Sequence, residues 1–151
     1  MGRITELLDT AHSRSQAHSW PFAGALMPRE TRELLQLAPG TRLIDVRSRA
    51  ELELNGAIPD ALHVEWQFWP GWVLNPNFLT QLAHATDPES LLIFICRTSA
   101  RSHRAAAACT EAGRGNCYSV LEGFEGDLNK ATGHRNELNG WKSHGLPWTQ
   151  G

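Results

Sequence analysis

The chain has no apolar run approaching the roughly 18 residues that a membrane-spanning helix requires. Its net charge of −2 over 151 residues supplies no global field for nucleic acid or an anionic membrane surface. Cysteine is scarce: Cys96, Cys109 and Cys117 are odd in number and include no Cys-x-x-Cys pair. A self-contained disulfide framework and a zinc knuckle are both excluded by that pattern. The seven histidines are scattered, and no two stand four apart on one helix, so no metal site is expected. The first residues, Met1-Gly2-Arg3-Ile4-Thr5-Glu6-Leu7-Leu8, lack the apolar core of a secretion signal and read as a short amphipathic helix. These absences predict a cytoplasmic protein in a reducing compartment, where a free thiol stays usable. No cofactor, nucleic-acid partner or membrane partner is implied.

What is present is an alternation of helical and strand signals. At this length a single domain buries roughly 70% of its unfolded surface. Residues 1–22 are expected to be a peripheral N-terminal segment, with one domain over residues 23–151. Pro28 followed by an acidic first turn, with Pro39-Gly40 beyond the last periodic leucine, predicts a helix over 29–37. Strands are predicted over 42–46, 62–65, 91–95 and 117–120. Helices are predicted over 50–54 and 77–85, and a last short one over 138–143. Strands alternating with helices argue an α/β architecture, with a central parallel sheet of about five strands covered by helices on both faces.

The most informative stretch is Leu91-Leu92-Ile93-Phe94-Ile95-Cys96-Arg97-Thr98-Ser99-Ala100-Arg101-Ser102. Its apolar run reads as a buried strand that stops at a cysteine. The alanine-rich segment from Arg104 to Ala112 reads as a helix closed by Gly113. Cys96 therefore stands on a short loop between a strand's carboxyl end and a helix's amino end, where open α/β sheets bind ligands. Loop N–H groups, the helix dipole, Arg97 and Arg101 all favour a thiolate there. Cys109 and Cys117 lie within a helix and a strand and read as small core residues.

Three motifs carry a resemblance. Cys96 to Ser102 forms Cys-x4-Arg-Ser; upstream stand Leu43-Ile44-Asp45-Val46-Arg47 with Glu51 and Gly56-Ala57-Ile58-Pro59; the tail is Gly140-Trp141-Lys142-Ser143-His144-Gly145-Leu146-Pro147-Trp148. In this order they resemble the single-domain rhodaneses, the thiosulfate sulfurtransferase family. Three positions depart from the family pattern: Ser99 stands where the loop often carries glycine, and Ala57 and Asp60 replace a frequent histidine and glycine.

The resemblance implies a rhodanese-like fold and a sulfurtransferase that moves sulfane sulfur from thiosulfate or a similar anion through a Cys96 persulfide. The acceptor is cyanide, a thiol or a partner protein. Arg97, Thr98, Ser99, Ala100, Arg101 and Ser102 are expected to bind the donor, with the two arginines steering it. Asp45, Arg47 and Glu51 are expected to support the site, with Arg47 paired to Glu51. A persulfide carrier with poor turnover of small donors needs the same cysteine. A phosphatase or arsenate reductase of related fold needs Cys-x5-Arg, and here Ser102 occupies that arginine's place. Trp66, Trp69 and Trp72 either wall the pocket or pack in the core, and His103, in the first helical turn, reads as a solvated surface residue.

Overall fold

The computed structural model describes residues 2–150; Met1 and Gly151, the outer ends of the two expected segments, lie outside the described residues. Along the chain run α1 (Arg3–His18), β1 (Gly24–Leu26), α2 (Pro28–Leu37), β2 (Arg42–Asp45), α3 (Arg49–Asn55) and β3 (Leu62–His63). They are followed by β4 (Gln67–Phe68), β5 (Val73–Leu74), α4 (Phe78–Ala85), β6 (Leu92–Ile95), α5 (Ala100–Glu111) and β7 (Cys117–Val120). Five strands form one sheet in the order β1-β7-β6-β2-β3, with every neighbouring pair parallel. β4 and β5 form a separate antiparallel hairpin.

The period of two along β6 divides the core between the two faces of the sheet. Leu92, Phe94 and Cys96 point to one side, where they meet Phe78 and Leu82 of α4 and Ala105, Ala106 and Cys109 of α5. Ile93 and Ile95 point to the other, against Leu7 and Ala11 of α1, Leu34 of α2, and Phe124 and Trp141. β6 is the middle strand of the sheet, and its four residues are all fully buried. α5 ends as expected, with Gly113 just beyond it at φ +106°. Among the described residues, no helix is long and apolar enough to cross a membrane.

Several expectations change. The N-terminal segment is not peripheral: α1 runs sixteen residues and lies on the sheet, with Leu7, Ala11 and Ser15 buried in one stripe. Its Arg14 forms a 2.6 Å ion pair with Glu30, whose other partner is the Met27 N–H at the start of α2. β1 escaped the sequence because it is three residues long and begins at Gly24. A Cβ there would stand 2.8 Å from the Ala11 carbonyl carbon, so glycine is what lets α1 cross the strand closely.

The helix predicted over 138–143 does not form. Gly140 adopts φ +103°, and Trp141 and Lys142 donate their N–H groups to the carbonyls of Gly123 and Phe124 instead of to a helical ladder. α5 begins at Ala100, inside the cysteine-arginine motif, so the loop is shorter than its sequence suggested.

Leu7→Ala tests whether α1 belongs to the core. A buried leucine truncated in a packed site loses about 2–5 kcal/mol, whereas a peripheral one changes stability by less than about 0.5 kcal/mol. Urea unfolding is expected to show the larger loss.

Candidate active site

Cys96 follows the last residue of β6 and is 1% exposed, beneath the loop formed by Arg97, Thr98 and Ser99. Ser102, in the first turn of α5, donates its backbone N–H to Cys96 Sγ at 3.3 Å. Its hydroxyl lies 3.6 Å from the same sulfur. The sulfur is therefore held at a helix amino terminus, where the N–H groups lack helical partners and the dipole favours negative charge.

The segment after β7 clamps the loop. Phe124 N–H donates to the Cys96 carbonyl at 2.8 Å, and Glu125 and Gly126 N–H both donate to the Arg97 carbonyl. Gly123 adopts φ +70°, and a Cβ on it would stand 2.5 Å from the Thr98 oxygen, so only glycine admits this approach. No sequence motif flagged this segment, although its two glycines around Phe124 were the available signal. Ser99 has φ −177°, outside the left-handed region, so its replacement of glycine costs no left-handed strain. Its carbonyl accepts from His103 N–H and from the Ser102 hydroxyl. Asp60, by contrast, does sit at φ +65°, a conformation aspartate tolerates better than most residues.

Two ion pairs surround the loop, and they differ from the expected one. Arg47 does not reach Glu51. It is fully buried and pairs with Asp45 at 2.6 Å, donates to the Gly56 carbonyl at 3.0 Å, and lies 3.9 Å over the Phe124 ring. Glu51 caps α3 by accepting the Ser48 N–H, and it takes a two-pronged contact from Arg101 at 2.6 and 2.8 Å. Burial works against the Glu51 charge, but Arg101 and the Ser48 donors outweigh it and hold the carboxyl below the ordinary carboxylate range.

Arg101, expected to clasp a donor, is thus committed to α3, with Trp72 4.9 Å over its guanidinium. Arg97 is exposed, and among the described residues its side chain has no ion pair or hydrogen bond. Thr98 is half-buried, and Ala100 is exposed as the first residue of α5.

The three tryptophans divide. Trp66 packs edge-on against Phe78 in the core, whereas Trp69 and Trp72 are 56% and 40% exposed. The latter two, with Arg97, Glu51 and Leu54, line a depression of about 270 Å³ beside the loop. His103 is not solvated as expected: its ring is half-buried against Trp20 and Phe22, and its Nδ1 lies 2.7 Å from the Ser119 hydroxyl. Cys109 and Cys117 are wholly buried, and the neighbouring Cys117, together with burial, pushes the Cys109 thiol up.

The model of the rhodanese-like domain matches residues 28–130. A crystal structure of Rv0390 from M. tuberculosis is 40% identical and superimposes with a TM-score of 0.78, over 86% of this chain and 99% of that one. An uncharacterized protein of Rickettsia rickettsii is 33% identical over 108 residues, 70% of this chain and 80% of the relative. A polysulfide-sulfur transferase homodimer from Wolinella succinogenes shares the fold at 24% identity and a TM-score of 0.61, over 99% of this chain and 95% of that one. The chain belongs to the rhodanese-like domain family and has its fold.

Glu51→Gln leaves Arg101 partly unpaired in a site that exposes about a tenth of either side chain. A loss of about 2–4 kcal/mol is expected near neutral pH. Because the Glu51 carboxyl is depressed in the folded state, its contribution is present above the ordinary carboxylate pKa and lost as pH falls through the folded value. The gap between wild type and variant in urea unfolding should therefore narrow below about pH 4.

Proposed function

We propose that this protein transfers sulfane sulfur from a small anionic donor, of which thiosulfate is the simplest, to a thiophilic acceptor through a persulfide on Cys96. The Cys96 thiolate attacks the outer sulfur of thiosulfate. A new S–S bond forms, the donor's S–S bond breaks, and sulfite leaves with the bonding pair. Cyanide or a thiolate then attacks the terminal sulfur of the persulfide, and Cys96 departs as thiolate. No metal or organic cofactor enters either step, and a reducing compartment such as the cytoplasm keeps Cys96 available.

The observation that carries this reading is the Ser102 N–H aimed at Cys96 Sγ from the start of α5, in a chain of this family. A charge on the sulfur, or on a second sulfur bonded to it, is stabilised by such preoriented donors. The exposed cation of Arg97 at the mouth, unpaired among the described residues, supports an anionic donor. Arg101 acts one step removed, by locking α5 to α3 through Glu51. Trp69 and Trp72 beside the mouth also suit a bulkier acceptor, a thiol or a partner protein, and a relay role uses the same persulfide. Oxyanion hydrolysis draws less support: the loop is one residue short for it, and the nearest helical arginine is occupied by a carboxylate.

The test is thiocyanate formation from thiosulfate and cyanide. Cys96→Ala is expected to lower it by roughly a thousandfold or more while keeping a native far-ultraviolet circular dichroism spectrum. Substantial turnover by a folded Cys96→Ala protein would refute the mechanism.

A further inference from the structure

Ser119 is an odd residue for its place. It lies in β7, between β1 and β6, wholly buried and directly opposite Phe94 in the register. A hydroxyl there costs free energy unless it is hydrogen-bonded. Two partners satisfy it, both from the first turn of α5: Ser102 Oγ at 2.8 Å and His103 Nδ1 at 2.7 Å. Ser102 Oγ is in turn 3.6 Å from Cys96 Sγ. Sulfur, two buried hydroxyls and an imidazole thus form one unbroken chain of contacts. Among the described residues, the remaining ring nitrogen, Nε2, has no protein partner.

We propose that Ser102, Ser119 and His103 form a proton wire between the Cys96 sulfur and the imidazole of His103. The inference rests on Cys96 being the sulfur-carrying nucleophile. Each hydroxyl can donate one hydrogen bond and accept another, so the chain has two consistent polarities once Ser102 turns its proton from the Ser99 carbonyl, 2.9 Å away, into the chain. In one, the Cys96 thiol donates to Ser102, Ser102 to Ser119, and Ser119 to a neutral His103 Nδ1. In the other, a protonated His103 donates to Ser119, Ser119 to Ser102, and Ser102 to the thiolate.

Passing from the first to the second breaks the S–H bond at Cys96. One proton is handed on at each hydroxyl, and an N–H bond forms at Nδ1; the products are thiolate and imidazolium, and charge balances. The imidazolium then releases its Nε2 proton to water.

With a neutral thiol as acceptor, in place of the cyanide or thiolate that lets Cys96 leave as thiolate, the wire is used in every cycle. The acceptor thiol takes the outer sulfur as its own persulfide anion, and its proton is left on Cys96. The wire carries that proton away and regenerates the thiolate for the next donor. His103 is in this sense a positioning and proton-accepting residue that acts on Cys96 through the two serines.

The titratable groups facing the chain lie at its two ends. His18 of α1, stacked on Trp20 at 4.3 Å, faces His103, and burial together with His18 holds the His103 imidazole below the ordinary histidine value. Arg101, with Glu51 and Asp45 beyond it, faces Cys96.

The test is the pH dependence of Cys96 alkylation by iodoacetamide, read site by site by mass spectrometry, in the wild type and in Ser102→Ala, Ser119→Ala and His103→Asn. Asparagine keeps a hydrogen-bonding group near the Nδ1 position but does not titrate. The wild-type profile should show an inflection below about pH 6.5, from His103, besides that of the thiol. All three variants should lose it. Each serine variant interrupts the wire independently, so misfolding of one leaves the other decisive, and Ser102→Ala retains the backbone N–H to sulfur.

Turnover with a thiol acceptor should fall by roughly a hundredfold in His103→Asn. An inflection that survives in Ser119→Ala and Ser102→Ala but vanishes in His103→Asn means through-space coupling and overturns the wire. An inflection retained in all three also overturns it. Because alkylation needs no sulfur donor, a protein that fails to turn over thiosulfate still reports on the wire, and the two failures are distinct.

Discussion

A guanidinium with no access to water is tolerable only where a carboxylate and further acceptors replace its hydration, and Arg47 meets that condition through Nε and Nη2, while among the described residues its buried Nη1 has no hydrogen-bond partner. Asp45, two residues earlier at the end of β2, neutralises it, the Gly56 carbonyl accepts another N–H, and the Phe124 ring covers its face. Each of these partners belongs to a different part of the site. Asp45 ends the strand beside β6, Gly56 ends α3, and Phe124 donates its N–H to the Cys96 carbonyl. The buried cation therefore ties the strand, the capping helix and the loop clamp into one unit, and the position of Cys96 follows from it.

Built around that unit, the two ion pairs have separate work. Asp45 with Arg47 holds the floor of the site together, and Glu51 with Arg101 fastens α3 to the first turn of α5. Of Arg47, Arg97 and Arg101, Arg97 is the one whose side chain has no ion pair or hydrogen bond among the described residues. The single-loop picture, in which every arginine near a cysteine serves the substrate, thus gives way to one structural cation in the core, one in the wall and one at the mouth. Preorganisation has a physical reason here. Donors that are already held need no rearrangement when charge develops on sulfur.

The features that were legible in the sequence are those written in local pattern. The apolar run into Cys96, the runs at β2 and β7, and Gly113 at the end of α5 all show themselves within a few neighbouring residues. Others depend on contacts between distant segments. The buried stripe of α1 uses Leu7, Ala11 and Ser15, of which Ala11 is too small and Ser15 too polar to announce a core face. β1, β4 and β5 are too short for any periodicity. The resemblance pairs Arg47 with Glu51, but the structure pairs Arg47 with Asp45 and gives Glu51 to Arg101. Geometry alone separates them. Ser119 and His103 are sixteen residues apart in sequence, and nothing in either neighbourhood predicts their 2.7 Å contact.

The central claim is that sulfur passes through Cys96. Intact-mass spectrometry of the untreated and thiosulfate-treated protein, followed by peptide mapping without reductant, addresses it most directly. The account predicts a gain equal to the mass of one sulfur atom, located on the peptide containing Cys96 and removed by cyanide. A protein that gains no sulfur, or gains it on Cys109 or Cys117 while Cys96 remains a free thiol, would contradict it.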